Sequence, residues 1–146
     1  MILIDTNILL YAVNRDDPRS SAACRALESL LNSGSPWVLS WNIVYEFLRV
    51  ATHPRVFPSP LDAETAWAYI AEIIRLPNGV LLTESAVHQE TVDRCLAEAP
   101  RMQGNLLHDF HTAVLMREHG IKRIITEDRD FLMFPWIKVQ RLPDSP

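Results

Sequence analysis

Residues 2–7 read Ile2-Leu3-Ile4-Asp5-Thr6-Asn7, and residues 123–131 read Arg123-Ile124-Ile125-Thr126-Glu127-Asp128-Arg129-Asp130-Phe131. In each, a short and nearly continuous apolar run gives way to an acidic, polar tail. Apolar runs without alternation are the mark of parallel strands buried on both faces. Three more β-like runs complete the set: Trp37-Val38-Leu39-Ser40, Val80-Leu81-Leu82 and Trp136-Ile137-Lys138-Val139-Gln140. Helical patterns lie between them, over about 18–33, 42–52, 62–76, 85–99 and 105–119. Strands alternating with helices predict one α/β domain over residues 1–146, with a parallel sheet covered by helices on both faces.

Boundary residues support these elements. Asp17 before Pro18 reads as a cap followed by a first-turn proline. Asp62 and Ser85 stand where N-caps are expected, and Gly34 and Gly120 suit positions just past helix ends. Pro54, Pro58 and Pro60 punctuate the loop after the second long helix.

Composition narrows the function. Hydrophobic residues make up 48% of the 146, enough for a full core. A formal net charge of -4 argues against a broad basic surface for nucleic acid, yet leaves room for an enzyme with bridging cations and a few local arginines. Cys24 and Cys95 fall in helical stretches without CxxC spacing, so both are expected to be reduced packing residues. No apolar run approaches membrane-spanning length, and Met1 leads straight into a core-like strand. The expectation is a cytoplasmic protein.

In a parallel sheet with helices on both faces, ligands bind beyond the carboxyl ends of the strands. Asp5-Thr6-Asn7 occupies that place after the first strand. Capping alone accounts for one such segment, but Thr126-Glu127-Asp128-Arg129-Asp130 repeats the arrangement after the fourth. Two helices add acids. Around 105–119, Leu106, Asp109, Ala113 and Met116 form one stripe, which puts Asp109 on the face to be buried. Aspartate is rarely buried without a partner or a metal; a salt bridge to an arginine is the competing account. In 42–52, Glu46 borders the apolar face made by Ile43, Phe47 and Val50.

Asp5, Glu46, Asp109 and Asp128 can thus converge at one end of the sheet. Two carboxylates about 5 Å apart repel by roughly 3 kcal/mol at an effective dielectric near 20, so four in one pocket call for cations. Oxygen-only ligands select hard ions, Mg²⁺ or Mn²⁺ rather than zinc. Such ions lower the pKa of a bound water and stabilise phosphoryl charge, the two services phosphodiester hydrolysis requires.

The strand-end Asp5-Thr6-Asn7, Glu46, Asp109 and the Thr126-x-Asp128-x-Asp130-Phe131 run together resemble the PIN-domain pattern, over residues 2 to about 140. The local pieces resemble the VapC-type toxins of bacterial toxin–antitoxin pairs. The resemblance implies strand order 3-2-1-4-5, Mg²⁺- or Mn²⁺-dependent cleavage of RNA, homodimerisation and inhibition by a cognate antitoxin. It also implies metal ligation by Asp5, Glu46, Asp109 and Asp128. Asp130 is then an auxiliary acid, and Asn7 and Thr126 hydrogen-bond a ligand or a bound water. Glu127 adds a charge where a neutral residue would serve as well.

Other residues admit other readings. His108-Asp109 invites comparison with all-helical HD-type phosphohydrolases, but this chain has β-like runs before its acids. His108 and His111 are read as helix-surface residues pointing away from the stripe of Asp109, able to reach a phosphate only if the entrance lies on that side. Haloacid-dehalogenase-like phosphatases need an aspartate two residues after Asp5, and position 7 is Asn. A catalytically silent binding module rests on Trp37, Trp41, Trp67 and Trp136, which suit a core or a dimer interface better than base stacking. Ala66, Trp67, Tyr69 and Ile70 are expected near the surface, in keeping with a dimer. Arg49 and Arg55 are candidates for the RNA backbone, with Arg15, Arg19 and Arg129 as further ones.

Overall fold

The computed structural model describes residues 1–57, 59–99 and 102–143. Its strands are β1 (Ile2–Ile4), β2 (Trp37–Ser40), β3 (Gly79–Leu82), β4 (Arg123–Ile125) and β5 (Lys138–Gln140). They pair in parallel in the order β3-β2-β1-β4-β5, as expected. Every residue of β1 and β2 is buried, which requires cover on both faces of the sheet. Leu3 pairs with Ile124 and Ile4 with Ile125, so the two strands with acidic tails are neighbours. At the start of β3, the Trp37 ring lies where a Cβ on Gly79 would stand. Only glycine fits there without moving the indole.

The helices are α1 (Thr6–Val13), α2 (Ser20–Leu31), α3 (Trp41–Ala51), α4 (Ala63–Ile74), α5 (His88–Glu98) and α6 (Leu106–Glu118), with a 3₁₀ turn at Asp130–Met133. Leu3, Ile4, Ile8, Leu39, Ile43, Phe47 and Ile70 sit at the centre of the core. Each fully buried side chain of this kind contributes roughly 1.5–3 kcal/mol. Asp62 caps α4 as predicted, accepting from the Thr65 N–H at 2.8 Å.

Helix α1 is absent from the sequence expectation. Ile8 and Leu9 are buried, and the four residues after them are half-buried. A helix covered nearly all round has no polar face, so its period does not show in the sequence. Two helix starts also differ. Asp17 does not cap α2: its carboxylate takes the Arg19 backbone N–H and guanidinium, and the helix begins at Ser20. Ser85 accepts from the Val87 N–H, and α5 begins only at His88. Gly120 follows the α6 cap directly with φ +68°, as predicted, whereas Gly34, at φ +72°, lies beyond Asn32 and Ser33. Strand β5 starts at Lys138, because Trp136 stands in a turn with its indole N–H donating to Ala113 O at 3.0 Å.

Surface expectations shift as well. Cys95 is buried but Cys24 is exposed. On α4, Ala66 and Ile70 are buried and Tyr69 half-buried, which leaves only Trp67 of that group exposed. Pro58 lies outside the described residues. None of the helices is long and apolar enough to cross a membrane, among the described residues.

Candidate metal centre

The site grows from the contact between β1 and β4. The Asp5 N–H donates to Ile125 O at 3.1 Å, which brings the two strand ends side by side. Asp5 then caps α1, its Oδ1 accepting from the Thr6 N–H at 2.8 Å. Its Oδ2 accepts from Asn7 Nδ2 at 2.6 Å and from the Thr126 hydroxyl at 2.5 Å. The Thr126 hydroxyl accepts in turn from Asn7 Nδ2 and from the Asp128 N–H, both at 2.9 Å. One donor and two acceptor sites are all a hydroxyl has, so Thr126 is fully used. Asn7 Oδ1 accepts from the Glu127 N–H at 3.2 Å and locks the two tails together. Beyond it, Asp128 Oδ1 receives the Asp130 N–H at 2.8 Å. Asn7 and Thr126 therefore act on Asp5 and on each other.

Helices α3 and α6 bring the remaining acids. Packed against α1, α3 turns Glu46 toward Thr6, whose hydroxyl donates to Glu46 Oε2 at 2.8 Å. One turn earlier, Asn42 is held between Ser40 and Thr112, with Nδ2 donating to the Thr112 hydroxyl at 2.8 Å. That bond ties α3 to α6. Asp109 is half-buried in the first turn of α6.

A cleft of about 820 Å³ opens between these elements. Asn42, Tyr45, Glu46 and Arg49 of α3 form one wall, and Asn105, His108 and Asp109 the other, with Asp128 and Asp130 between them. Carboxylate oxygens of Asp109, Asp128 and Asp130 lie within 4.8 Å of one another. Asp5 lies deeper, 7% exposed.

The electrostatics follow from this crowding. Burial pushes the Asp109 carboxyl up to about 7, and Asp128, Asp5, Asp130 and Glu46 add to the rise. Burial likewise takes Asp5 up to about 6, against the opposing bonds from Thr126 and Thr6. The charges of Glu46 and Asp128 push it further in the same direction. An oxygen-only donor set with too much negative charge fits a hard divalent cation.

The structure brings Asp5, Glu46, Asp109 and Asp128 to one place, and it puts Asp130 in the tightest part of the cluster. Arg49 lines the cleft, 3.9 Å from Glu46. Arg55 is exposed in the loop after α3 and does not line it. Arg19 is taken up by Asp17 and stacks on Tyr11. His108 is an exposed helix-surface residue, as expected, and the cleft opens on its side. His111 keeps to its expected place outside, paired with Glu84. Sequence reasoning missed Thr6, Asn42 and Tyr45; Thr6 was in plain view between two chosen residues.

The PIN domain family model matches residues 2–136. The chain belongs to the PIN-domain family. Among curated proteins, this PIN domain is 31% identical to Ribonuclease VapC37 of Mycobacterium tuberculosis over 143 residues, 98% of each chain. It is 33% identical to Ribonuclease VapC48 of the same organism over 136 residues, 93% of each. Its fold matches the crystal structure of VapBC2 from Rickettsia felis, bound to a DNA fragment from their promoter. There the TM-score is 0.69 at 17% identity, covering 98% of this chain and 100% of that one. It also matches Mycobacterium tuberculosis VapC20, described as a Sarcin-Ricin loop cleaving toxin. That TM-score is 0.65 at 20% identity, covering 90% and 93%.

Proposed function

We propose that this PIN domain is a divalent-metal-dependent endoribonuclease that hydrolyses RNA phosphodiester bonds as the toxin of a toxin–antitoxin pair. One observation carries the reading: five carboxylates meet at the carboxyl end of the sheet, and Asp5 and Asp109 are pushed up to about 6 and about 7 by burial and by their fellow acids. Likeness over nearly full length to proteins named VapC ribonucleases supports the choice of substrate, and the fold shared with VapBC2 is in keeping with an antitoxin partner.

Asp109, Asp128 and Asp130 would hold the ion most directly, with Glu46 on the facing wall and Asp5 behind. Bound Mg²⁺ or Mn²⁺ would supply charge stabilisation at a phosphoryl oxygen and a lowered pKa for water. The chain's own residues provide the frame for that chemistry. Thr126 and Asn7 fix the Asp5 carboxylate, and Thr6 holds Glu46 toward the cleft. Arg49 offers the cation for a phosphate beside the acids. The protein is further read as cytoplasmic and homodimeric, with a cognate antitoxin as its inhibitor.

Cleavage of a short single-stranded RNA oligonucleotide tests the reading. Activity is expected to vanish in EDTA and return with Mg²⁺ or Mn²⁺. Cleavage that persists undiminished in EDTA contradicts it.

A further inference from the structure

The acids account for the middle of the cleft but not for its α3 wall. Tyr45 is 67% exposed, although it is a large aromatic on a helix whose inner face is fully buried. Its neighbours along the cleft wall are Asn42, Glu46 and Arg49. Trp41, one turn back, packs against it with ring centroids 6.1 Å apart and planes tilted by 39°. The indole thereby limits the positions open to the phenol ring. Arg49 lies one turn on, a rise of about 6 Å along the helix. Its ion pair with Glu46 is long, at 3.9 Å, and both partners are well exposed, so little holds the guanidinium there.

We propose that Tyr45 is a base-stacking platform for the RNA strand, seating one unpaired base at the rim of the cleft while Arg49 takes a neighbouring phosphate. The proposal rests on the endoribonuclease reading and adds how the strand is placed. Stacking suits this wall because every base has a π-face, and an aromatic ring beside a cation is the usual pairing for single strands. The surroundings favour a nucleotide over a second copy of the chain. Trp41, 39% exposed, backs the ring on one side, but the cleft side of Tyr45 is shared with an amide, a carboxylate and a guanidinium at the mouth of the acidic cleft. Tyr45 is thus a positioning residue for the scissile phosphate, not a group that reacts.

The test is steady-state cleavage of one single-stranded RNA oligonucleotide by wild type, Tyr45→Ala, Tyr45→Phe and Arg49→Ala, with light scattering on each. Tyr45→Ala should raise KM about tenfold and change kcat little, and Tyr45→Phe should restore KM, since the ring and not the hydroxyl does the stacking. Arg49→Ala should raise KM and flatten its salt dependence. Wild-type cleavage with an unchanged KM in Tyr45→Ala overturns this inference and leaves the endoribonuclease reading standing. A Tyr45→Ala protein that halves in mass, and loses activity only as it dissociates, assigns the ring to a subunit contact and also overturns it. Should wild type cleave no RNA, the broader reading fails and this one with it.

Discussion

Helix α6 carries an acid near each end, and the fold holds the two in opposite ways. Asp109, in the first turn, shares its cleft with Glu46, Asp128 and Asp130, has Asp5 behind them, and is pushed up to about 7. Glu118, the last residue, has only 1% of its side chain exposed, yet its carboxyl lies below the ordinary range. Burial acts to raise Glu118 too, but hydrogen bonds from the Ser85 N–H and from His88 Nδ1, at 2.7 Å, outweigh it. Glu84 is held low by its own backbone N–H and by His111 Nε2 at 2.9 Å. The rings of His88 and His111 meet edge-on, 5.7 Å between centroids, and close the set. An acid whose partners come from its own chain has little left for a ligand. An acid crowded by other acids is stabilised by an arriving cation.

Neutralising one acid at each end should separate them most widely. Asp109→Asn keeps the volume and removes the charge, so RNA cleavage should fall by orders of magnitude. The metal-free protein should meanwhile melt at a higher temperature than wild type. Glu118→Gln should do the reverse, costing about 1–3 kcal/mol of stability through lost hydrogen bonds to the charged form while cleavage persists. Equal loss of cleavage in two well-folded variants would erase the distinction.

A smaller effect is expected with pH. Between the ordinary value of 3.8 and about 7, folded Asp109 keeps a proton that the unfolded chain has released. Asp5 behaves alike up to about 6, and its share is about 3 kcal/mol. Both contributions are therefore intact at low pH and are lost as pH rises through that window. Glu84 and Glu118 run the other way, conferring stability at neutral pH that is lost as pH falls below the ordinary glutamate value of 4.5. Urea unfolding without divalent ions should show wild type losing stability from pH 5 to pH 8, with a shallower loss in Asp109→Asn. Rising stability over that range would mean that the crowded acids do not govern it.

The sheet and the acids were legible in the sequence because they rest on local signals. The runs ending at Ile4 and Ile125 are too apolar for anything but buried strands, and each hands over to an acid. Helix α1 was hidden because Ile8 to Val13 offers no polar face. Which side of α6 the cleft opens on, and so whether His108 lines it, was not legible for a related reason. Residues 112–116 of α6 are buried on every side, so the helix has no single stripe to measure from, and its first turn offers the cleft more than one face. Tyr45 and Asn42 became visible only once packing set the angle between α3 and α6. No pattern within residues 41–51 records that angle.

Calorimetric titration of Mn²⁺ into the protein at pH 7.5 is the most direct test of the central claim, that the crowded carboxylates at the carboxyl end of the sheet form a divalent-metal site. Wild type and Glu118→Gln should bind alike, and Asp109→Asn should bind far more weakly or show no heat. Absence of binding in wild type, or equal binding in wild type and Asp109→Asn, would contradict the account.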